Sequence, residues 1–326
     1  MVRSIRAALL LSTLLTSLLL TACGGGSDGG GGNRSVALQP ANAVTASDPS
    51  APQATGDTAT DGLAWFNFRR QKMGLQAVER NAKIDVAAKA HSDYQVLNGI
   101  SHDETAGKPG FTGATLIDRL RAADYAVPAE GYAIGEVISM TSDPSGFNAA
   151  EGLIAAIYHR FVAFEPMYRD AGAGSSISAR GETFFTANFA VLAESGKGLQ
   201  RQLADAKIVT YPYPDQQLVP IGFLSDNEVP DPVPSKNAVG YPISVHADGI
   251  AILTVRSFTV QERGGATLPV QLLTGSNDAE HTPLSAAAII PLDVLKPATT
   301  YDVSFSGTLD KAPVSRSWSF TTAAAR

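Results

Sequence analysis

Five histidines, and the carboxylates that could reach them, are where chemistry could begin in this sequence. His102 stands in Gly99-Ile100-Ser101-His102-Asp103-Glu104, Glu136 in Gly135-Glu136-Val137 and His159 in Tyr158-His159-Arg160. Two imidazoles and a carboxylate suit Zn²⁺, and an open fourth position would carry water or substrate. Such a centre would polarise a substrate or activate the water. Without metal, Glu136 could orient an imidazole as a general base. A third outcome is a polar cluster that only organises loops. Spacing does not choose among these, because the three residues are far apart in the chain and no HExxH pattern links any of them. Ser101 beside His102 invites a hydrolase reading, but adjacent residues on an extended chain point opposite ways, and no strand-to-helix nucleophile elbow accompanies it. His91 falls on an apolar helical stripe with Ala87 and Tyr94 and reads as a packed, satisfied histidine. His246, in a strand-rich segment, and His281, in a polar loop, have no evident partner.

Periodicity sets the elements that carry these residues. Leu63, Phe66 and Arg70 share a helical face from about Asp61 onward. A second helix starts after Asn81, carries Ile84, Ala87, Ala88, His91 and Tyr94, and ends at Gly99. A third covers Thr115 to Ala123, and Asn148 can cap a fourth bearing Leu153, Ile154, Ile157 and Phe161. Strands are expected over Ile134–Met140, Ser175–Ser178 and Thr183–Val191. Helices mixed with a few strands read as α+β, not as alternating βαβ units.

Six of the nineteen prolines fall between Pro212 and Pro234, which predicts a semi-rigid extended connector. Beyond it the period is two: Ile243 and Val245, Leu253 and Val255, Tyr301, Val303 and Phe305, Trp318 and Phe320. Short strands punctuated by turn residues predict an all-β sandwich.

Residues 61–195 resemble a bacterial CAP domain, the module of the cysteine-rich secretory, antigen 5 and pathogenesis-related 1 proteins. The resemblance runs in order through Asn67, Arg69-Arg70, Gly74-Leu75, Ala90-His91-Ser92, Ser101-His102, Thr112-Gly113, Arg119, Asp124-Tyr125, Gly135-Glu136, His159-Arg160 and Gly172-Ala173-Gly174. It implies an α-β-α sandwich with a small antiparallel sheet, and a cavity ringed by two histidines and two glutamates. His102 and His159 match the histidines and Glu136 the first glutamate. The second glutamate has no clear match, Glu151 and Glu165 being the nearest candidates, and Val137 replaces the asparagine after the first. The resemblance thus points to His102, Glu136 and His159 as metal ligands, with Zn²⁺ the cofactor they would take. Residues 241–326 resemble bacterial immunoglobulin-like domains through Leu295 to Val303 and Trp318 to Thr322.

The N-terminus addresses the chain. Arg3 and Arg6 precede an apolar, Leu-rich run ending Leu20-Thr21-Ala22-Cys23, which resembles a lipobox. Residues 1–22 are therefore expected to be a lipoprotein signal peptide and Cys23 the lipidation site. Residues 23–60 read as a Gly-, Ala-, Ser- and Pro-rich tether, and residues 196–240 as the connector between the two domains. Cys23 is the only cysteine, so no intrachain disulfide can form. The net charge of −6 argues against nucleic acid as a partner. The expected location is the cell envelope, outside the cytoplasm and on the outer membrane if the host is Gram-negative, with the membrane and an extracellular ligand as partners. The functional expectation is a binding module for a lipid, glycan or peptide. The alternatives are a metal-assisted hydrolase and a structural spacer or adhesion protein.

Overall fold

The structure, a computed structural model, describes residues 48–194, 196–203 and 207–325. Cys23, the expected signal peptide and most of the expected tether lie outside the described residues. Helix α1 (Thr58–Lys72) opens on Asp57, whose carboxylate accepts from the Thr60 N–H at 2.7 Å. It starts three residues earlier than expected. Asp61 turns back to bind the Thr55 and Gly56 amides, and Asp48 pairs with Lys72, so residues 48–60 fold together with the first helix.

After the two-residue strand β1 (Glu79–Arg80), helix α2 (Ala82–Asn98) runs from its Asn81 cap to Gly99, at φ +93°. Helix α3 (Leu116–Ala122) carries a Thr115/Asp118 capping box. Strand β2 (Tyr132–Thr141) comes next, then α4 (Gly146–Ala155), α5 (Ile157–Ala163), β3 (Asp170–Ile177) and β4 (Thr183–Leu192). The sheet order is β1-β3-β4-β2, which makes β2 an edge strand. One face, with Ala171, Ala173, Phe185, Ala187 and Phe189, packs on the cluster that holds Phe66, Leu153 and Phe161. The other face receives α2 and α3. Ser92 Oγ donates to the Gly174 carbonyl, and Ala190 packs with Ile84 and Leu120. This is an α-β-α arrangement, and the chain as a whole is α+β.

Close approach of α2 to the sheet depends on two glycines of β3. A Cβ at Gly172 would overlap the backbone of Ile84 and Asp85, and one at Gly174 that of Ala88 and Lys89. Neither neighbour is a flexible side chain. Gly174→Ala is expected to cost about 1–3 kcal/mol through displacement of α2, which urea denaturation would measure.

Residues 196–240, expected as an extended connector, instead supply strands β5 (Val209–Tyr211), β6 (Gln216–Val219), β7 (Gly222–Leu224) and β8 (Ala238–Gly240). The later strands are β9 (Ile243–His246), β10 (Leu253–Glu262), β11 (Val270–Thr274), β12 (Ala286–Pro291), β13 (Thr300–Leu309) and β14 (Ala312–Thr322). They form two four-stranded sheets, β10-β13-β14-β6 and β11-β12-β9-β5, and β7 pairs with β8. The proline-rich stretch thus contributes an outer strand to each sheet. Proline is tolerated there because it sits beside the short paired runs, at turns and edges.

Both halves share one apolar cluster. Arg160, fully buried, crosses between them. It donates to Ile154 O and Pro242 O, with its guanidinium 4.9 Å from the Tyr211 ring and 5.0 Å from Tyr241. Among the described residues, the sheets and apolar clusters draw on residues from Ala51 onward. Among the described residues, no helix is long and apolar enough to cross a membrane.

Candidate functional site

The first imidazole–carboxylate couple forms where the loop after α2 meets β2. His102 Nδ1 lies 3.0 Å from Glu136 Oε1. Glu136 is also held by Arg119 of α3, whose one terminal nitrogen donates to Oε1 at 2.9 Å and Oε2 at 2.7 Å while the other donates to the His102 carbonyl. Burial would raise the Glu136 pKa, but Arg119, His91 and His102 overcome it and bring it down to about 2. His91 lies behind this couple. Its Nδ1 meets Glu104 at 2.9 Å and its Nε2 meets the Ser101 carbonyl at 2.9 Å. It is the packed, satisfied histidine that the helical pattern suggests. Burial favours the neutral form of Glu104, but the His91 bond and the Thr112 N–H outweigh it and hold its pKa low.

The second couple joins the two halves. His159 Nδ1 lies 3.1 Å from Oε1 of Glu228, which comes after β7. The same carboxylate accepts from the amides of Ile157 (2.8 Å), Tyr158 (2.7 Å) and His159 (3.3 Å). The periodicity predicts one helix across Ala156. The structure has two, because Glu228 caps a new N-terminus there. The cap of α4 is Ser145, not Asn148, whose backbone N–H is the donor to it.

In both couples the carboxylate already accepts from other N–H groups, so the imidazole donates from Nδ1. The neutral ring then carries its lone pair on Nε2. Nε2 of His102 and of His159 are both buried without a hydrogen-bond partner among the described residues.

The two candidates for the second glutamate do other work. Glu151 takes a forked pair from Arg69 (2.9 and 3.0 Å) and the Trp65 indole N–H (2.6 Å), tying α1 to α4. Glu165 accepts from Met167 N and Gly249 N at the joint between the halves. Glu228 was missed because the CAP resemblance ends before it, and only its place in a proline-rich stretch marked it. His246 bonds Ser244 Oγ at 2.9 Å, and His281 lies 3.2 Å from Asp278.

The three expected metal ligands are not brought together. Glu136 turns to the α2–α3 face and is engaged by Arg119, whereas His159 belongs to α5 on the other face and has its own carboxylate. Among the described residues, no three His, Cys, Asp or Glu side chains could hold one metal ion. Two imidazoles fall short of the three protein ligands of a catalytic zinc site, so a Zn²⁺ centre on His102, Glu136 and His159 does not fit.

A cavity of about 200 Å³ runs along the free edge of β2 from Ile138 to Thr141. His159 and Leu153 line one side and Phe223, Leu224 and Asn227 close another. The Ser139 hydroxyl in this wall also lacks a partner among the described residues.

Glu165 is half-buried, and its pKa rises to about 7. Burial and Asp248 raise it, against the Met167 and Gly249 amides and Arg70. An acid whose folded pKa exceeds its unfolded value stabilises fully below the unfolded value, near 4.5, and that stability is lost as pH rises through about 7. His246, pushed down to about 3 by burial and by Arg160 and Arg70, gives the opposite slope up to its unfolded value of 6.5. The Glu165 contribution is therefore read as a difference. Wild type should lose about 3 kcal/mol relative to Glu165→Gln between pH 4.5 and 8, as followed by urea denaturation.

No family model and no curated relative matches the chain. Among solved structures it is similar to an extracellular protein containing an SCP domain from Bacillus anthracis str. Ames, at 22% identity and TM-score 0.35. That match covers 44% of this chain and 45% of the other, so the chain spans less than half the length of that protein. It is also similar to an outer surface protein of Borrelia burgdorferi, at 13% identity and TM-score 0.34 over 40% of this chain and 90% of that one. A third likeness is to Schistosoma mansoni venom allergen-like protein 4, at 9% identity and TM-score 0.30 over 46% and 97%. At these scores the site rests on this chain's own geometry.

Proposed function

We propose that this chain is an envelope-anchored binding module, held by lipid on Cys23, in which a CAP-like unit is braced by an immunoglobulin-like β unit and takes an extracellular ligand. The reading rests on one observation. Two imidazoles are fixed by buried carboxylates, with Nε2 left without a protein partner in each. Buried polar atoms are nearly always paired, so two orphaned acceptors of one kind suit a ligand that supplies the donors.

The same geometry favours binding over hydrolysis. Glu136, clamped by Arg119 and held near pKa 2, is a poor general base at neutral pH. Among the described residues, neither Nε2 meets a serine, threonine or cysteine nucleophile.

The test is to add fractionated envelope extract to residues 48–326, follow thermal stability, and recover the stabilising compound. Binding predicts stabilisation and return of the compound with its mass unchanged. Return of a cleaved compound would establish the hydrolase reading. No stabilisation by any fraction would leave the spacer reading in place.

A further inference from the structure

Four consecutive residues of β2, Ile138 to Thr141, line the cavity beside that strand. Successive side chains of a strand point to opposite faces of its sheet. A cavity on one face would meet alternate residues only, so this one wraps the outer edge of β2. Phe223 and Leu224 of β7 line its far side. Among the described residues β2 pairs only with β4, and β7 only with β8. The cavity is therefore a slot between two strand edges, neither of them paired on the side that faces it. Gly152 and Asn227 in its wall are exposed, and Met140 and Thr141 are half-buried, so the slot opens to solvent.

The edge of β2 is also unguarded. Sheet edges are commonly blunted by bulges, prolines or basic side chains. The edge strand β10 shows such a guard, a register shift between Val255 and Ser257 at Arg256. By contrast, β2 keeps an unbroken register with β4 over all 10 of its residues. It contains no proline, lysine or arginine, and its one charge, Glu136, is taken by Arg119.

The wall sets the chemistry of the occupant. No lysine, arginine, aspartate or glutamate lines the slot, so a charged segment would lose its hydration without compensation. The polar lining residues are Ser139, Thr141, Asn148, His159 and Asn227. The unpaired atoms of Ser139 and His159 are buried. Thr141 donates to the Asp143 carbonyl, and Asn148 to the Asp143 carboxylate. Recognition therefore falls to the main chain. Two strand edges offer N–H and C=O groups at strand spacing, which an extended peptide matches from both sides. Residues 138–141 span about 13 Å of strand, so the slot takes a segment of roughly four residues.

We infer that an extended peptide with uncharged side chains inserts as a strand between β2 and β7 and joins them into one sheet. The site uses neither unpaired imidazole nitrogen and so goes beyond the binding reading above.

The test uses the full chain, labelled with ¹⁵N and held in detergent micelles, and the peptide acetyl-Thr-Val-Ala-Val-Thr-amide. One analogue is N-methylated at its second and fourth residues, the other at its first, third and fifth. In a strand these two sets of N–H groups point to opposite edges. The parent peptide should give saturable amide shifts at residues 138–141 and 222–224. Each analogue should bind at least roughly tenfold more weakly, since each loses its bonds to one edge. An analogue with glutamate in place of both valines should also bind more weakly. Undiminished binding of either N-methylated peptide overturns insertion between two edges. Tighter binding of the glutamate peptide overturns the uncharged assignment. Absence of saturable shifts with the parent overturns the site itself. If an envelope compound still stabilises the chain in that case, the binding reading stands and only the strand site falls.

Discussion

Arg119→Met is expected to destabilise the folded chain by about 3–5 kcal/mol at pH 7, the range for breaking a buried ion pair from one side. The arginine side chain is fully buried, and one of its nitrogens reaches both oxygens of Glu136. Methionine fills similar space but leaves a buried carboxylate with the two histidines for company. The pH dependence identifies the cause. With a folded pKa near 2, Glu136 contributes stability that is present above its unfolded value near 4.5 and is lost as pH falls toward 2. That contribution is about 3 kcal/mol, and the variant should lack its acid slope. Urea denaturation at several pH values reads both effects. In the double variant with Glu136→Gln much of the loss should return, since no uncompensated charge remains. A loss below about 1 kcal/mol for Arg119→Met would mean that the pair is as weak as a surface one.

The second large effect falls on Glu228. Glu228→Ala removes the acceptor for three backbone N–H groups and for the His159 ring at once. Each buried donor left unpaired costs about 1–3 kcal/mol, although readmitted water limits the sum, so a loss of about 3–4 kcal/mol is expected. Glu228→Gln keeps an acceptor oxygen and should lose about half as much. Hydrogen exchange locates the effect. The amides of Ile157, Tyr158 and His159 should lose protection in Glu228→Ala before the α1 amides do. Uniform loss across the chain would instead mark Glu228 as an ordinary stability residue.

These two residues also show how far the sequence could be read. Arg119 and Glu136 stand in the ordered run of short motifs that carries the CAP resemblance, so their meeting was within reach of the sequence, although no role attached to Arg119. The helices around His91 and His102 were legible because Asn81 and Gly99 bracket an apolar stripe, and local chemistry decides such boundaries. The break at Ala156 was not legible. No glycine or proline marks it, and its cause is a carboxylate about 70 residues later in the chain. The proline-rich segment misled in the same way. Its composition describes an isolated chain, whereas β5 and β6 are strands only because β9 and β14 lie beside them. The metal set failed for a related reason: residue types suited to Zn²⁺ say nothing of the arginine that occupies the carboxylate.

The proposed binding reading depends on two separate imidazoles, those of His102 and His159, each of which donates from Nδ1 to a buried carboxylate and keeps Nε2 without a protein partner among the described residues. Long-range ¹H–¹⁵N spectra of histidine-labelled chain, recorded where the rings are neutral, observe this directly. The expected spectrum shows the Nδ1–H tautomer, with unprotonated Nε2, for both His102 and His159. A proton on Nε2 with a bare Nδ1 at either ring would refute the binding geometry.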